Sequence, residues 1–124
     1  MHILNIGTDI VEICRVKEAV ERNPRFLERN FTELEIEYFK SKDMKANSIA
    51  GNFSAKEAVA KSLGTGVRGF NLKDIEVLRD EIGMPFVNTH GKLSAICEDY
   101  GILEIKVSIS HCREYAVANA IAIV

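Results

Sequence analysis

Three places in the sequence set reactive side chains where elements of structure should end: Asp9, Glu57 with Lys61, and His111. Glu57 and Lys61 belong to a run of small residues, Ala50 to Gly66, that closes on Gly64-Thr65-Gly66. Read as a helix, the run puts Glu57 and Lys61 on one face and Gly64 where the helix stops. Alone, that spacing describes a surface ion pair contributing roughly 0.2–0.5 kcal/mol. Asp9 and His111 change the reading. Two carboxylates from different elements suit a hard divalent cation such as magnesium, which leaves its other positions to water and phosphate. A lysine one turn from a carboxylate and a Gly-Thr-Gly turn suit phosphate oxygens, the first as a point charge and the second through backbone N–H groups. His111 closes Val107-Ser108-Ile109-Ser110 and could donate to a phosphate or carry a proton. A His111–Cys112 nucleophile pair is a poor rival, because neighbours in an extended chain point to opposite faces.

The elements that must position these groups can be read in order. Ile3 to Ile13 alternates Leu4, Ile6, Thr8 and Ile10 with Asn5, Gly7 and Asp9, the period of a strand with one buried face. Asp9 is either a strand-end cap for the next segment or a functional carboxylate at the sheet rim. Glu12 to Glu21 turns helical, Asn23-Pro24 breaks it, and Arg25 to Arg29 resumes. Arg15, Arg22, Arg25 and an exposed-looking Phe26 make this stretch basic, a solvated face or a dock for an acidic partner. Thr32 to Glu35 forms a capping box for a helix to about Lys40. A polar loop with Lys42 and Lys45 comes next, and Ser48 can cap the helix that ends at Gly64. Asp74 to Asp80 and Met84 to Thr89 read as two strands, with Pro85 at an edge or a start. Lys92 to Tyr100 is helical and stops at Gly101; Glu104 to Ser110 and Tyr115 to Val124 close the chain as strands. The order β-α-α-α-β-β-α-β-β predicts one α+β domain over residues 1–124, a mostly antiparallel sheet packed with helices.

Composition bounds the rest. The 124 residues are 47% hydrophobic and 27% charged, an ordinary globular balance. Sixteen basic against eighteen acidic side chains give a net charge of −2, which gives no support to wholesale nucleic-acid binding. The N-terminus has neither the basic start nor the apolar run of a signal peptide, and the apolar tail is too short to cross a bilayer as a helix. Cys14, Cys97 and Cys112 are read as free buried thiols in a reducing cytoplasm, with no zinc site.

In three blocks the chain resembles the holo-[acyl-carrier-protein] synthases, short bacterial 4′-phosphopantetheinyl transferases of fatty-acid synthesis. They are Ile6 to Ile13, Ala50 to Ala58 with Lys61 and Gly64-Thr65-Gly66, and Val107 to His111. The resemblance implies magnesium-dependent transfer of the phosphopantetheine arm of coenzyme A to a serine of apo-acyl carrier protein, releasing adenosine 3′,5′-bisphosphate. It implies metal ligation by Asp9 and Glu57, and coenzyme A contacts from Lys61, Gly64, Thr65 and His111. It implies carrier docking on Arg15, Arg22, Arg25 and Phe26. It also implies a cytoplasmic homotrimer with sites between subunits. The serine's proton could go to Glu57, His111 or a metal-bound water. One departure stands out: Asn52 occupies the place of the family's arginine in Ala-Gly-Arg-Phe, and Lys45 or Lys42 is the expected substitute for that phosphate contact. The runner-up is a non-catalytic module that binds an acidic helical partner through the basic face of residues 15–29. A further rival is a magnesium-dependent phosphotransferase with a small nucleotide substrate.

Overall fold

The computed structural model describes residues 1–64 and 68–124. Thr65, a candidate coenzyme A contact, lies outside the described residues, as do Gly66 and Val67. Strand β1 (Ile3–Glu12) leads into helices α1 (Ile13–Arg22), α2 (Phe26–Asn30), α3 (Glu33–Ser41) and α4 (Ala46–Ser62). A 3₁₀ turn at Leu72–Asp74 precedes β2 (Ile75–Arg79) and β3 (Pro85–Thr89); α5 (Gly91–Tyr100), β4 (Glu104–His111) and β5 (Tyr115–Ile123) complete the chain. The α+β class and the antiparallel pairing are as the sequence indicates. Among the described residues, however, the strands form two sheets: β1-β5-β4, and a separate hairpin of β2 and β3. The stretch after Asn23-Pro24 is also a helix of its own, so four helices separate β1 from β2.

Helix α4 lies across the three-stranded sheet and is buried along most of its length. Small side chains allow that close approach. Ala116, Ala118, Ala120 and Ala122 form the helix-facing row of β5, each almost wholly buried, opposite Ala55 and Ala58 of α4. Gly7 of β1 is tighter still: a Cβ there would sit 2.0 Å from the carbonyl oxygen of Ala58 and 2.7 Å from the amide nitrogen of Ser62. Helix α4 starts at Ala46, two residues before Ser48, with Lys45 in the N-cap place and no side-chain cap.

This contact reverses the expected faces of β1. The strand turns Gly7 and Asp9 toward α4 and leaves Ile6 and Ile10 to solvent, at 66% and 63% exposure. Ile6 and Ile10 therefore cover no core among the described residues, while Val11 of β1 packs against one. The described residues form two cores instead. One packs α4 against Phe70, Ile75, Val77, Leu93 and the inner sheet face; the other gathers Val16, Phe26, Phe31, Phe39 and Ile49 around α1 to α3. Phe26 belongs to the second, packed against the rings of Phe31 and Phe53, so its expected exposure is corrected. The thiols are corrected in part: all three are free, yet only Cys97 is buried.

The capping box of α3 forms as expected, and its acid has a second role. Glu35 is fully buried and accepts four bonds: Thr32 N at 3.0 Å, Lys56 Nζ at 2.6 Å, Val77 N at 3.1 Å and Asn52 Nδ2 at 3.3 Å. One carboxylate thus joins α3, α4 and β2. Burial pushes the Glu35 carboxyl up and the Lys56 ammonium down, each opposed by the charge of the other. Neither could be buried alone at tolerable cost.

Candidate active site

Because β1 turns Asp9 inward, its carboxylate meets α4. Ser54 Oγ donates to Asp9 Oδ2 and to the Asp9 carbonyl, both at 3.1 Å. Lys61 Nζ donates to Asp9 Oδ1 at 3.3 Å and to the Thr8 carbonyl at 3.0 Å. Lys61 therefore reaches across to the strand, and the surface ion pair with Glu57 that its spacing offers is not what fixes it. Asp9 is mostly covered while Lys61 remains half exposed. The lysine can hold its carboxylate and still present a charge to solvent.

Glu57 stands beside this pair. Burial raises its carboxyl above the ordinary range, the charge of Asp9 raises it further, and Lys61 opposes both. A buried carboxylate whose proton affinity is raised by a second carboxylate beside it is a fitting place for a hard cation. Among the described residues no three His, Cys, Asp or Glu side chains gather to hold a metal. A two-carboxylate set fits magnesium, which uses one or two protein carboxylates and keeps water or phosphate on its other positions. Zinc, with its three or four nitrogen and sulfur ligands, does not fit.

The remaining candidates lie elsewhere. His111 ends β4 level with Ala116 of β5, which is itself level with Val11 of β1. His111 thus stands two strands from β1, about 10 Å across the sheet, and within one chain the structure does not bring it to Asp9. Gly64 terminates α4 with φ of 79° and its N–H bonded to Lys61, close to the side chain that holds Asp9. Arg15, Arg22 and Arg25 are exposed around the α1–α2 corner. Of the three, Arg15 lines a groove of about 450 Å³ together with Ile10, Val16, Phe26, Phe53 and Tyr115. Lys42 and Lys45 are exposed at the α3–α4 turn. Asn52 is fully buried, its Nδ2 on the Val77 carbonyl at 2.9 Å, with its Oδ1 buried and unpartnered among the described residues. The side chain at the family's arginine position faces the interior here.

Sequence reasoning missed Ser54 and Lys56. No signal marks Ser54, a small residue among small residues. Lys56 was legible, since it shares a stripe with Ile49, Asn52, Val59 and Leu63, the spacing of a buried helix face.

A strand carboxylate and a helix carboxylate with a lysine one turn on meet at one place on this α+β frame, and the frame is that of a transferase family. The chain belongs to the 4′-phosphopantetheinyl transferase superfamily, whose family model matches residues 5–120. It is similar to the holo-[acyl-carrier-protein] synthase of Clostridium botulinum (strain Alaska E43 / Type E3), 57% identical over 121 residues covering 96% of each chain. The corresponding protein of Thermoanaerobacter pseudethanolicus is 56% identical over 120 residues, 97% of this chain and 87% of that one. Among solved structures, the holo-[acyl-carrier-protein] synthase of Neisseria meningitidis superposes with a TM-score of 0.91 at 32% identity, over 99% of this chain and 100% of that one. The Helicobacter pylori enzyme, solved in complex with coenzyme A, gives 0.85 at 32% identity over 95% and 99%.

Proposed function

We propose that this protein transfers the 4′-phosphopantetheine arm of coenzyme A to a serine of apo-acyl carrier protein; its relatives are named holo-[acyl-carrier-protein] synthases. The observation that carries the reading is the Asp9–Glu57–Lys61 constellation, two carboxylates and a cation from β1 and α4 at one place. In the reaction the serine Oγ forms a bond to the phosphorus that bears the pantetheine arm. The bond from that phosphorus to the adenosine 3′,5′-bisphosphate oxygen breaks, and the serine's proton leaves to a base.

Asp9 and Glu57 would hold magnesium, which when bound neutralises pyrophosphate charge. Lys61 adds a fixed positive charge beside the same oxygens as charge develops there. Ser54 fixes the Asp9 carboxylate so that it does not rotate away from the ion. The serine's proton would go to Glu57 or to His111; within one chain Glu57 stands beside Asp9, whereas His111 is two strands off. Gly64, with Thr65 beyond the described residues, presents backbone to the phosphates. Lys45, exposed at the start of α4, supplies the cation that Asn52 does not.

The carrier docks on Arg15, Arg22 and Arg25, where an acidic surface would be steered to the groove, and Phe26 contributes to the groove's floor. The exposed apolar face of β1 supports a homotrimer, since Ile6, Ile10 and Tyr115 form a patch that a monomer rarely leaves open. In such an assembly His111 from a neighbouring copy could complete the site. No described helix is long and apolar enough to cross a membrane, and a cytoplasmic site in fatty-acid synthesis is the setting proposed.

The test is mass spectrometry of apo-acyl carrier protein after incubation with coenzyme A and magnesium. A phosphopantetheine mass gain, with release of adenosine 3′,5′-bisphosphate, is expected. No gain with competent carrier would leave the binding-module reading in its place. Magnesium should also raise the melting midpoint of the wild type and not of Asp9→Asn or Glu57→Gln. An equal shift in either variant would remove that residue from the metal site.

A further inference from the structure

We propose that Lys56, which the proposed chemistry does not use, is a positioning residue for the coenzyme A side of the site, holding the return end of the chain that leaves α4 at Gly64. The proposal rests on the transferase reading for its kinetic consequence alone.

Lys56 is fully buried. An ammonium has three donors, and here all three are used: Glu35 Oε1 at 2.6 Å, the Ile75 carbonyl at 2.5 Å and the Leu72 carbonyl at 3.3 Å. The ring of Phe31 lies 4.9 Å from the same nitrogen. With every donor engaged, the ammonium is fixed in direction as well as place.

Of those partners, Leu72 opens the 3₁₀ turn Leu72–Asp74 and Ile75 follows it, where the chain rejoins the body after Gly64. One helix therefore references both ends of this connection. Lys61 and Gly64 mark its departure beside Asp9, and Lys56 receives its return on the opposite side of α4. Gly64 and Arg68, near the two ends, line one groove with Ile96, Asp99 and Tyr100. A shift of the return end moves Arg68 relative to Gly64.

An apolar side chain would satisfy the packing stripe of Ile49, Val59 and Leu63 without burying an ion. Replacing a buried ion pair by apolar groups is often neutral or stabilising. Stability alone thus gives little reason for a lysine here, whereas a fixed contact to two carbonyls of one connection does.

Lys56→Met and Glu35→Gln both break the Glu35–Lys56 ion pair, but only the first releases the Leu72 and Ile75 carbonyls. Each is assayed well below its own melting midpoint. Lys56→Met should raise the KM for coenzyme A about tenfold with kcat changed less than about threefold, and Glu35→Gln should leave that KM near the wild-type value. Amide hydrogen exchange of residues 68–74 in the free protein should quicken about tenfold in Lys56→Met and not in Glu35→Gln. If Lys56→Met does not fold, Lys56→Met/Glu35→Gln, which removes both charges, takes its place with the same expectations. Unchanged exchange over 68–74, or the same KM rise in both single variants, overturns the proposal. A wild type that transfers nothing sinks the transferase reading instead, and the exchange measurement still decides the role of Lys56.

Discussion

Gly7→Ala tests whether the site depends on the closeness of β1 to α4. The added methyl would stand 2.0 Å from the Ala58 carbonyl oxygen and 3.0 Å from its carbon, and 2.7 Å from the Ser62 nitrogen. All three are backbone atoms of a helix, so no side chain can swing aside. Relief requires strand and helix to part by about 1 Å or more, against Ala118 and Ala120 packed beside them. Overpacking of this kind costs about 3 kcal/mol, the upper end of its usual range, because the obstacle is main chain. In a chain of this size that is a fall of roughly 10 °C in melting midpoint. The same separation carries Ser54 Oγ, now 3.1 Å from Asp9 Oδ2, and Lys61 Nζ, now 3.3 Å from Oδ1, out of hydrogen-bonding range. A misplacement of that size at a reacting centre costs about 100-fold in rate. The assay pairs a thermal melt with the rate of carrier modification, measured well below the variant's midpoint so that unfolding is not mistaken for lost catalysis. Gly83→Ala is the control: Gly83 has φ of 85° with nothing within 4 Å of the added methyl, so only about 1–2 kcal/mol of left-handed strain is expected and no loss of rate at the site. A Gly7→Ala protein that melts within about 2 °C of wild type and transfers at the wild-type rate would refute the reasoning.

Three further outcomes can be checked. Asn52→Asp loses the bonds to the Val77 carbonyl and Glu35 and sets a second carboxylate against the first; denaturant unfolding should show a loss of about 3–5 kcal/mol, and less than about 1 kcal/mol would contradict the buried geometry. For Glu76, burial pushes the carboxyl up, but hydrogen bonds from Thr32, His90 and Asn88 outweigh it and hold the group below its ordinary range. A depressed carboxyl stabilises the fold above its unfolded pKa of about 4.3 and loses that contribution as the pH falls through the lower folded value. The stability gap between wild type and Glu76→Gln should therefore be widest near neutrality and shrink below about pH 4.3; a gap constant into acid would be the wrong result. Arg15→Glu and Arg22→Glu should raise the KM for acyl carrier protein several-fold at low salt and less at high salt, leaving that for coenzyme A alone; an effect confined to coenzyme A would count against the docking surface.

What the sequence made legible, and what it hid, divides along a physical line. Local signals survived folding: the Thr32–Glu35 box, the Gly101 stop with φ of 70°, and the alternation of Ile105, Val107 and Ile109 in β4. Period-2 alternation located β1, but it assigned the buried face by hydrophobicity, and the fold chose by volume. A helix that must approach a strand within a methyl's width selects the face carrying glycine, whatever lies on the other side. That choice makes the candidate site, for it turns Asp9 inward to Ser54 and Lys61 and leaves Ile6 and Ile10 exposed. Charge misled in the complementary way. Glu35, Lys56 and Glu76 occupy positions that pattern reading gives to solvent or to the core, and each is buried with partners from elements 12 or more residues away. Glu35 is joined to Lys56 across 21 residues and to Val77 across 42, and no local window contains either pairing. The same distance governs the candidate site: Lys61 and Glu57 share a turn, yet what fixes Lys61 is Asp9, 52 residues earlier. The motif residues could be named from the chain, whereas their partners exist only once Gly7 has let α4 down onto the sheet.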